Sequence, residues 1–76
     1  MTIGDLEAGA LVRVVGYNKG PVAYRSRLLA MGVTRGERLQ VRRIAPMGDP
    51  VEILLKGFAL VLRKDEARAV LVERIG

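Results

Sequence analysis

The side chains that could do chemistry in this chain are carboxylates and guanidinium groups, because the sequence contains no histidine and no cysteine. The usual general base, the imidazole metal ligand and the thiolate nucleophile are therefore missing. The one pair of adjacent carboxylates, Asp65 and Glu66, directly follows Lys64. Transition-metal sites usually include imidazole or thiolate ligands, so we expect no specific metal site and no bound cofactor.

The segment APMGDP, residues Ala45 to Pro50, concentrates residues that shape the backbone. Pro46 presets the φ angle of a turn, and Gly48 supplies a permissive backbone. Asp49 is a single carboxylate without a neighbouring base, nucleophile or phosphate-binding loop, so it makes no catalytic mechanism. The pattern favours a stiff connector between two strands. The alternative is that Met47 projects from this rigid tip and anchors a partner.

Arg25 and Arg27 lie in the clearest helical segment of the sequence. A guanidinium group can contact a carboxylate or a phosphate through two hydrogen bonds at once, and an arginine finger acting in trans is conceivable. No other catalytic group accompanies the two arginines, so we expect that the protein is not an enzyme. Both remain candidates for binding a partner, and the alternative is a simple solvated helix face.

The overall charge indicates what kind of partner could bind. The net charge is +5 and the isoelectric point is about 10.5, which suits nucleic acid, a membrane surface or an acidic protein face. The lysines and arginines are scattered, so the charge could also serve solubility alone. A small nucleic-acid-binding barrel is the alternative function. The scarcity of aromatic residues argues against it, because single-strand binders usually stack bases on aromatic side chains.

The apolar pattern predicts one strand, then one helix, then several strands. Residues 11–15, Leu-Val-Arg-Val-Val, include three β-branched valines and lie between Gly9 and Gly16, which predicts a first strand. A helix follows over about Val22–Met31, in which Tyr24, Leu28 and Met31 share a face. We expect Gly32 to end this helix in the left-handed conformation, with Val33 contacting Leu28.

The second half of the chain predicts short antiparallel strands in RLQVRRI, VEILLK, FALVLR and AVLVERI. Lys56 and Gly57 suit a tight hairpin turn, and Arg43 interrupts the alternation as a bulge would. KDEA is predicted to be a turn or a single helical turn. A mainly β, small antiparallel barrel with one inserted helix, forming a single domain over residues 1–76, fits this order.

Several apolar residues fall on outward positions of the predicted strands, where a small monomer usually carries polar side chains. They are Leu11 and Val15, which flank Arg13, together with Leu54, Val61 and Leu71. Such a surface predicts an interface with a partner or with another copy of the chain. The alternative is that the N-terminal segment or the helix covers part of this face.

Three motifs in order carry a resemblance that runs from about Ile3 to Glu73. They are the Arg-x-x-Leu-x-x-Met-Gly-Val-x-x-Gly run of residues 25–36, the Ala-Pro-x-Gly-Asp-Pro corner, and Leu-Arg-Lys-x-Glu-Ala at residues 62–67. Through them the sequence resembles the FeoA family of bacterial ferrous iron transport.

The resemblance implies an SH3-like barrel that acts as an accessory or regulator of FeoB, a membrane ferrous iron permease with a cytoplasmic GTP-binding domain. Ferrous iron would then be the ion that the partner transports. No apolar run approaches the ~20 residues needed to cross a bilayer, and the start of the sequence has no secretory signal pattern. We expect a cytoplasmic protein that reaches the inner membrane through its partner.

Overall fold

The computed structural model describes all 76 residues as a five-stranded antiparallel sheet with two helices. The strands are β1 (Leu11–Tyr17), β2 (Arg38–Ile44), β3 (Val51–Leu55), β4 (Phe58–Leu62) and β5 (Val70–Arg74), and the helices are α1 (Val22–Ala30) and α2 (Lys64–Ala69). The strand order in the sheet is β4-β3-β2-β1-β5. The predicted antiparallel architecture with a helix after the first strand is confirmed. KDEA, predicted as a turn or a single helical turn, begins a helix of six residues, Lys64–Ala69.

The core consists of aliphatic side chains from alternate positions of the strands. Because successive residues of a strand point to opposite faces, Val12 and Val14 of β1 are buried, as are Val51, Ile53 and Leu55 of β3. Sixteen buried residues form one hydrophobic cluster. The residues between them form the outer face of the sheet.

Helix α1 ends as the sequence predicts. Gly32 has a φ of +95°. Its amide donates to the Leu29 carbonyl at 3.0 Å, and the Val33 amide donates to the Leu28 carbonyl at 3.0 Å. These two bonds define a Schellman ending. Leu28 and Val33 are both fully buried, so the ending fastens the helix to the core.

Two turns of the sheet also match their predictions. Lys56 and Gly57 have φ angles of +53° and +81°, which is the pattern of a two-residue type I′ hairpin. The register of β2 against β3 shifts between Val41 and Arg43, so the predicted bulge is present. A second register shift, between Val14 and Gly16 on β1, is not predicted by the sequence pattern.

The N-terminal segment lies along β5. Thr2 forms a bridge with Leu71, and the Val72 amide donates to the Met1 carbonyl at 3.0 Å. Arg74 donates two hydrogen bonds of 2.8 Å to the carboxylate of Glu7. This segment therefore closes one edge of the sheet. Neither helix is long and apolar enough to cross a membrane.

Candidate functional site

An apolar groove lies on the outer face of the sheet between β1 and β3. The strand register places Gln40 of β2 between Leu11 and Leu54, and the Ile75 amide donates to the Leu11 carbonyl at 3.1 Å. The Gln40 amide group turns aside to the Gly9 carbonyl, with 3.4 Å between nitrogen and oxygen. A groove of about 350 Å³ remains, lined by Leu11, Arg38, Leu39, Gln40, Leu54 and Ile75.

The groove has a positively charged rim. Arg38 is exposed and has no carboxylate within 4.0 Å. Arg13, which pairs with Arg38 across β1 and β2, forms an ion pair with Glu73 at 3.0 Å. Exposed ion pairs of this kind contribute only about 0–1 kcal/mol. Because Arg38 forms no ion pair of its own, its charge is available to a carboxylate of a partner.

The remaining outward apolar residues of the strands differ in their accessibility. Val61 of β4 is 53% exposed and lies two residues beyond Ala59, which pairs with Leu54. Val15 is also exposed. Leu71 is only half-buried, and it pairs with Thr2 of the N-terminal segment. The N-terminal segment therefore covers part of the outer face beside Leu71, which is the alternative described for this surface in the sequence analysis.

Of the two helix arginines, Arg27 already has a partner within the chain. Its Nη1 atom contacts Oε2 of Glu66, and Glu66 is buried in α2. The other carboxylate oxygen of Glu66 accepts the Arg63 amide at 2.9 Å. Arg27 therefore joins α1 to α2 and supports the fold. Arg25 is exposed and forms no ion pair.

The corner of residues 45–50 is built by its own backbone. The Gly48 amide donates to the Ala45 carbonyl at 2.9 Å, and the Ala45 amide donates to the Pro50 carbonyl at 3.0 Å. The Asp49 carboxylate accepts the Lys64 amide at 3.0 Å, at the first residue of α2. A carboxylate there satisfies an amide that the helix itself cannot bond. Met47 lies at the tip and is 91% exposed.

The titratable groups show structural interactions and no acid–base pair. Two hydrogen bonds from Arg74 lower the pKa of Glu7 from 4.5 to about 2. The Thr2 amide lowers the pKa of Asp5, and burial raises the pKa of Tyr17. No group of three or more carboxylates is close enough together to hold a metal ion.

The groove contains residues that are not among the predicted binding residues. Arg38, Gln40 and Ile75 line it beside Leu11 and Leu54. The alternation in RLQVRRI places Arg38 and Gln40 outward, but only the pairing of β1, β2 and β3 brings them next to the two leucines. That pairing joins residues far apart in the sequence, so a local pattern does not show it.

The fold and its relatives define the class of the molecule as a small SH3-like domain. The FeoA protein of Stenotrophomonas maltophilia, solved in complex with zinc and described as a prokaryotic SH3 domain protein, superposes with a TM-score of 0.84 at 25% identity. The match covers 96% of this chain and 89% of that one. The model of the FeoA domain family matches residues 1–74. The chain belongs to the FeoA family, which confirms the resemblance seen in its sequence.

Two further comparisons agree with this assignment. The solution structure of FeoA from Chlorobium tepidum is 36% identical, with a TM-score of 0.86, and the match covers 100% of this chain and 71% of that one. A fusion of Fe(2+) transport protein A with the transporter FeoB, from Porphyromonas gingivalis, is 32% identical over 78 residues. That match covers 99% of this chain, which spans 9% of the length of the fusion protein. The family is thus linked to ferrous iron transport.

Proposed function

We propose that the protein is a non-catalytic, cytoplasmic accessory of bacterial ferrous iron uptake that binds a FeoB-type transporter at its GTP-binding domain. The observation that carries the proposal is the groove between Leu11 and Leu54, an apolar surface with a positive rim on a sheet face exposed to solvent. An apolar site rimmed by charge suits a protein partner better than a small polar ligand.

The fused relative supports the identity of the partner. In the Porphyromonas gingivalis protein a domain similar to this chain is joined to FeoB. Two domains on one chain meet at a high effective concentration, so an interaction between them gains from the fusion. The separate protein would make the same contact by association. Ferrous iron is then the substrate of the transporter, and this chain contributes no ligand to it.

The groove alone is too small to form the whole interface with a partner. A groove of about 350 Å³ takes up only a few side chains of a partner, which covers less surface than a stable complex needs. A standard interface takes about 800 Å² from each partner, which is roughly a sixth of the 4611 Å² surface of this protein. We therefore expect the contact to extend from the groove over the neighbouring sheet face, including Arg13 and Val61.

An NMR titration of the isotope-labelled protein with the soluble GTP-binding domain of the transporter tests the proposal. We expect the largest amide shifts at Leu11, Gln40 and Leu54. The titration is repeated with intact transporter, because the docking site could need more than one of its domains. Absence of shifts with both partner forms would contradict the proposal. Shifts that instead appear with DNA or RNA, and that disappear with added salt, would favour nucleic-acid binding.

A further inference from the structure

The chemistry of the groove between Leu11 and Leu54 indicates which side chains a partner must bring to it. Of the six residues that line the groove, four are apolar, and the other two are Gln40 and Arg38. No carboxylate lines it, and Arg38 has no ion-pair partner. Apolar surface gains from burial against apolar side chains, and a free guanidinium group binds a carboxylate through two hydrogen bonds. The groove is therefore complementary to an apolar side chain that lies beside a carboxylate.

The carboxylates near Arg38 in the sheet and in the sequence are already engaged. Arg13 lies directly opposite Arg38 in the pairing of β1 with β2, and Arg13 forms its ion pair with Glu73 at 3.0 Å. Glu37, which precedes Arg38, forms an ion pair with Lys56 at 3.2 Å. Like charges directly opposite one another on a sheet are destabilising. A carboxylate from a partner would therefore pair with Arg38 and also relieve its repulsion with Arg13.

The position of the groove within the sheet indicates the secondary structure of what binds there. The groove lies over β1, β2 and β3, and the strand order β4-β3-β2-β1-β5 gives each of these strands a neighbour on both sides. Their backbone groups are directed within the sheet, so none is offered to a strand laid on this face. An extended partner segment would bury its own amides and carbonyls without hydrogen bonds, which is costly. A helix satisfies these groups internally, so the groove favours a helix.

The dimensions of the groove also suit one face of a helix. Leu11 and Leu54 belong to the strands on either side of β2, so their backbones lie about 10 Å apart, which is twice the usual strand spacing. A helix with its side chains has a diameter of about 10 Å. Arg38 is two residues from Gln40 along β2, a separation of about 7 Å on the same face. Helix residues four apart also share a face, with about 6 Å between their Cβ atoms, so an apolar residue over Gln40 places its neighbour one turn away within reach of Arg38.

We propose that the groove binds an amphipathic helix of a partner protein, which places an aliphatic side chain between Leu11 and Leu54 and pairs a carboxylate one helical turn away with Arg38. An apolar groove that takes up the apolar face of a helix is a recurring mode of recognition, and here the unpaired arginine selects an acidic helix. The source of the helix rests on the proposed function, which makes it part of the GTP-binding domain of the transporter.

Alanine-based peptides of about 15 residues, held helical by a lactam bridge, test this recognition against the isotope-labelled protein. The first carries two leucines four residues apart and a glutamate four residues after the second, so that the three side chains share a face. The second has glutamine in place of the glutamate. The third moves the glutamate by two residues, to the opposite side of the helix, and keeps the composition and the net charge. We expect the first peptide to shift the amide signals of Leu11, Gln40 and Leu54, and the other two to bind at least threefold more weakly.

An exchange of charges tests the same contact from the side of the protein. The Arg38→Gln variant should bind the first and second peptides equally, because the glutamate then has no charge to pair with. The Arg38→Glu variant should bind a lysine version of the first peptide at least threefold more tightly than the parent protein does. The matched control is Lys19→Glu, which changes the net charge equally at an exposed position outside the groove and should bind the lysine version as the parent does. The amide spectrum of each variant verifies that it is folded.

Three results would overturn the inference. They are absence of shifts at the groove with the first peptide at about 1 mM, equal affinity of the parent protein for the first three peptides, and no gain in affinity from the exchange of charges. If the groove residues still shift with the GTP-binding domain in these cases, the proposed function stands and a different element of that domain occupies the groove. Peptide binding as expected, without shifts from the domain or from intact transporter, would support recognition of an acidic helix and contradict the transporter as its source.

Discussion

Leu11 of β1 and Leu54 of β3 lie in one row across the outer face of the sheet, on either side of Gln40. The intervening glutamine side chain bonds to the Gly9 carbonyl, so the two leucines border an open groove. Burial of a leucine side chain contributes about 1.5–3 kcal/mol. Leu11 is 45% exposed and Leu54 is half-buried, so a partner that covers them gains only part of this contribution from each.

Charge reversal at Arg38 should weaken binding to the GTP-binding domain of the transporter by about three- to tenfold, and the effect should shrink at high salt. Arg38 is at the rim of the groove without an ion-pair partner, so Arg38→Glu repels an acidic partner and breaks no bond of the fold. The matched control is Lys19→Glu, which changes the net charge equally at an exposed position outside the groove. Isothermal titration calorimetry at two salt concentrations measures both variants. Equal losses for both would mean that only net charge matters.

Replacement of Arg27 by alanine should destabilise the fold by about 1–3 kcal/mol, because it leaves the buried carboxylate of Glu66 without its ion-pair partner. The exposure of the Arg27 side chain to water keeps this loss below that of a fully buried pair. Urea unfolding measures the change. Arg25→Ala serves as the control and should stay within about 0.5 kcal/mol of the parent. If Arg27→Ala lowered the free energy of unfolding no more than Arg25→Ala does, the Glu66 carboxylate would be satisfied without Arg27.

The ion pair of Glu7 with Arg74 should make stability depend on acid pH. The pKa of Glu7 falls from 4.5 to about 2 on folding, so the unfolded chain takes up the proton first as the pH decreases. The stabilisation is present above about pH 4.5 and is lost as the pH falls towards 2. The difference in urea midpoint between the parent and Glu7→Gln should therefore narrow over this range. A constant difference from neutral pH to acid would contradict the assignment.

Met47→Gly should raise the stability by roughly 0.5–1 kcal/mol and leave transporter binding unchanged. Met47 has a φ of +70°, a backbone conformation that glycine adopts without steric cost. Unfolding and binding are measured on the same variant. A loss of affinity would show that the exposed methionine side chain contacts the partner, and the corner would then be an anchor rather than a connector.

Local sequence patterns predict much of this fold because the signals involved are short-range. The Schellman ending needs only Leu28, Gly32 and Val33, and the hairpin needs only Lys56 and Gly57. Alternation alone identifies the buried residues of β3. These features depend on the conformational preferences of neighbouring residues, which a single sequence contains.

The groove and the ion pairs depend on contacts between distant parts of the chain, so the pattern does not show them. Leu11 and Leu54 are predicted to face outward, but their common groove follows from the strand order. The pairing of Arg27 with Glu66 requires α1 and α2 to pack together. Alternation places Phe58 on the same face of β4 as Leu60 and Leu62. Phe58 is nevertheless exposed, because β4 lies at the edge of the sheet.

The affinity of the Leu11→Asp variant for the purified transporter shows whether the groove between Leu11 and Leu54 is the binding site for the transporter. Leu11 is 45% exposed, so the fold should tolerate the change. In the complex, the new carboxylate would be buried in the apolar groove. This burial should cost more than about 1.4 kcal/mol of binding free energy, which is a tenfold loss of affinity. The control is Val22→Asp on α1, where a 64% exposed apolar residue lies outside the groove. We expect at least a tenfold loss for Leu11→Asp and less than a twofold change for Val22→Asp. Unchanged binding of Leu11→Asp would contradict this expectation.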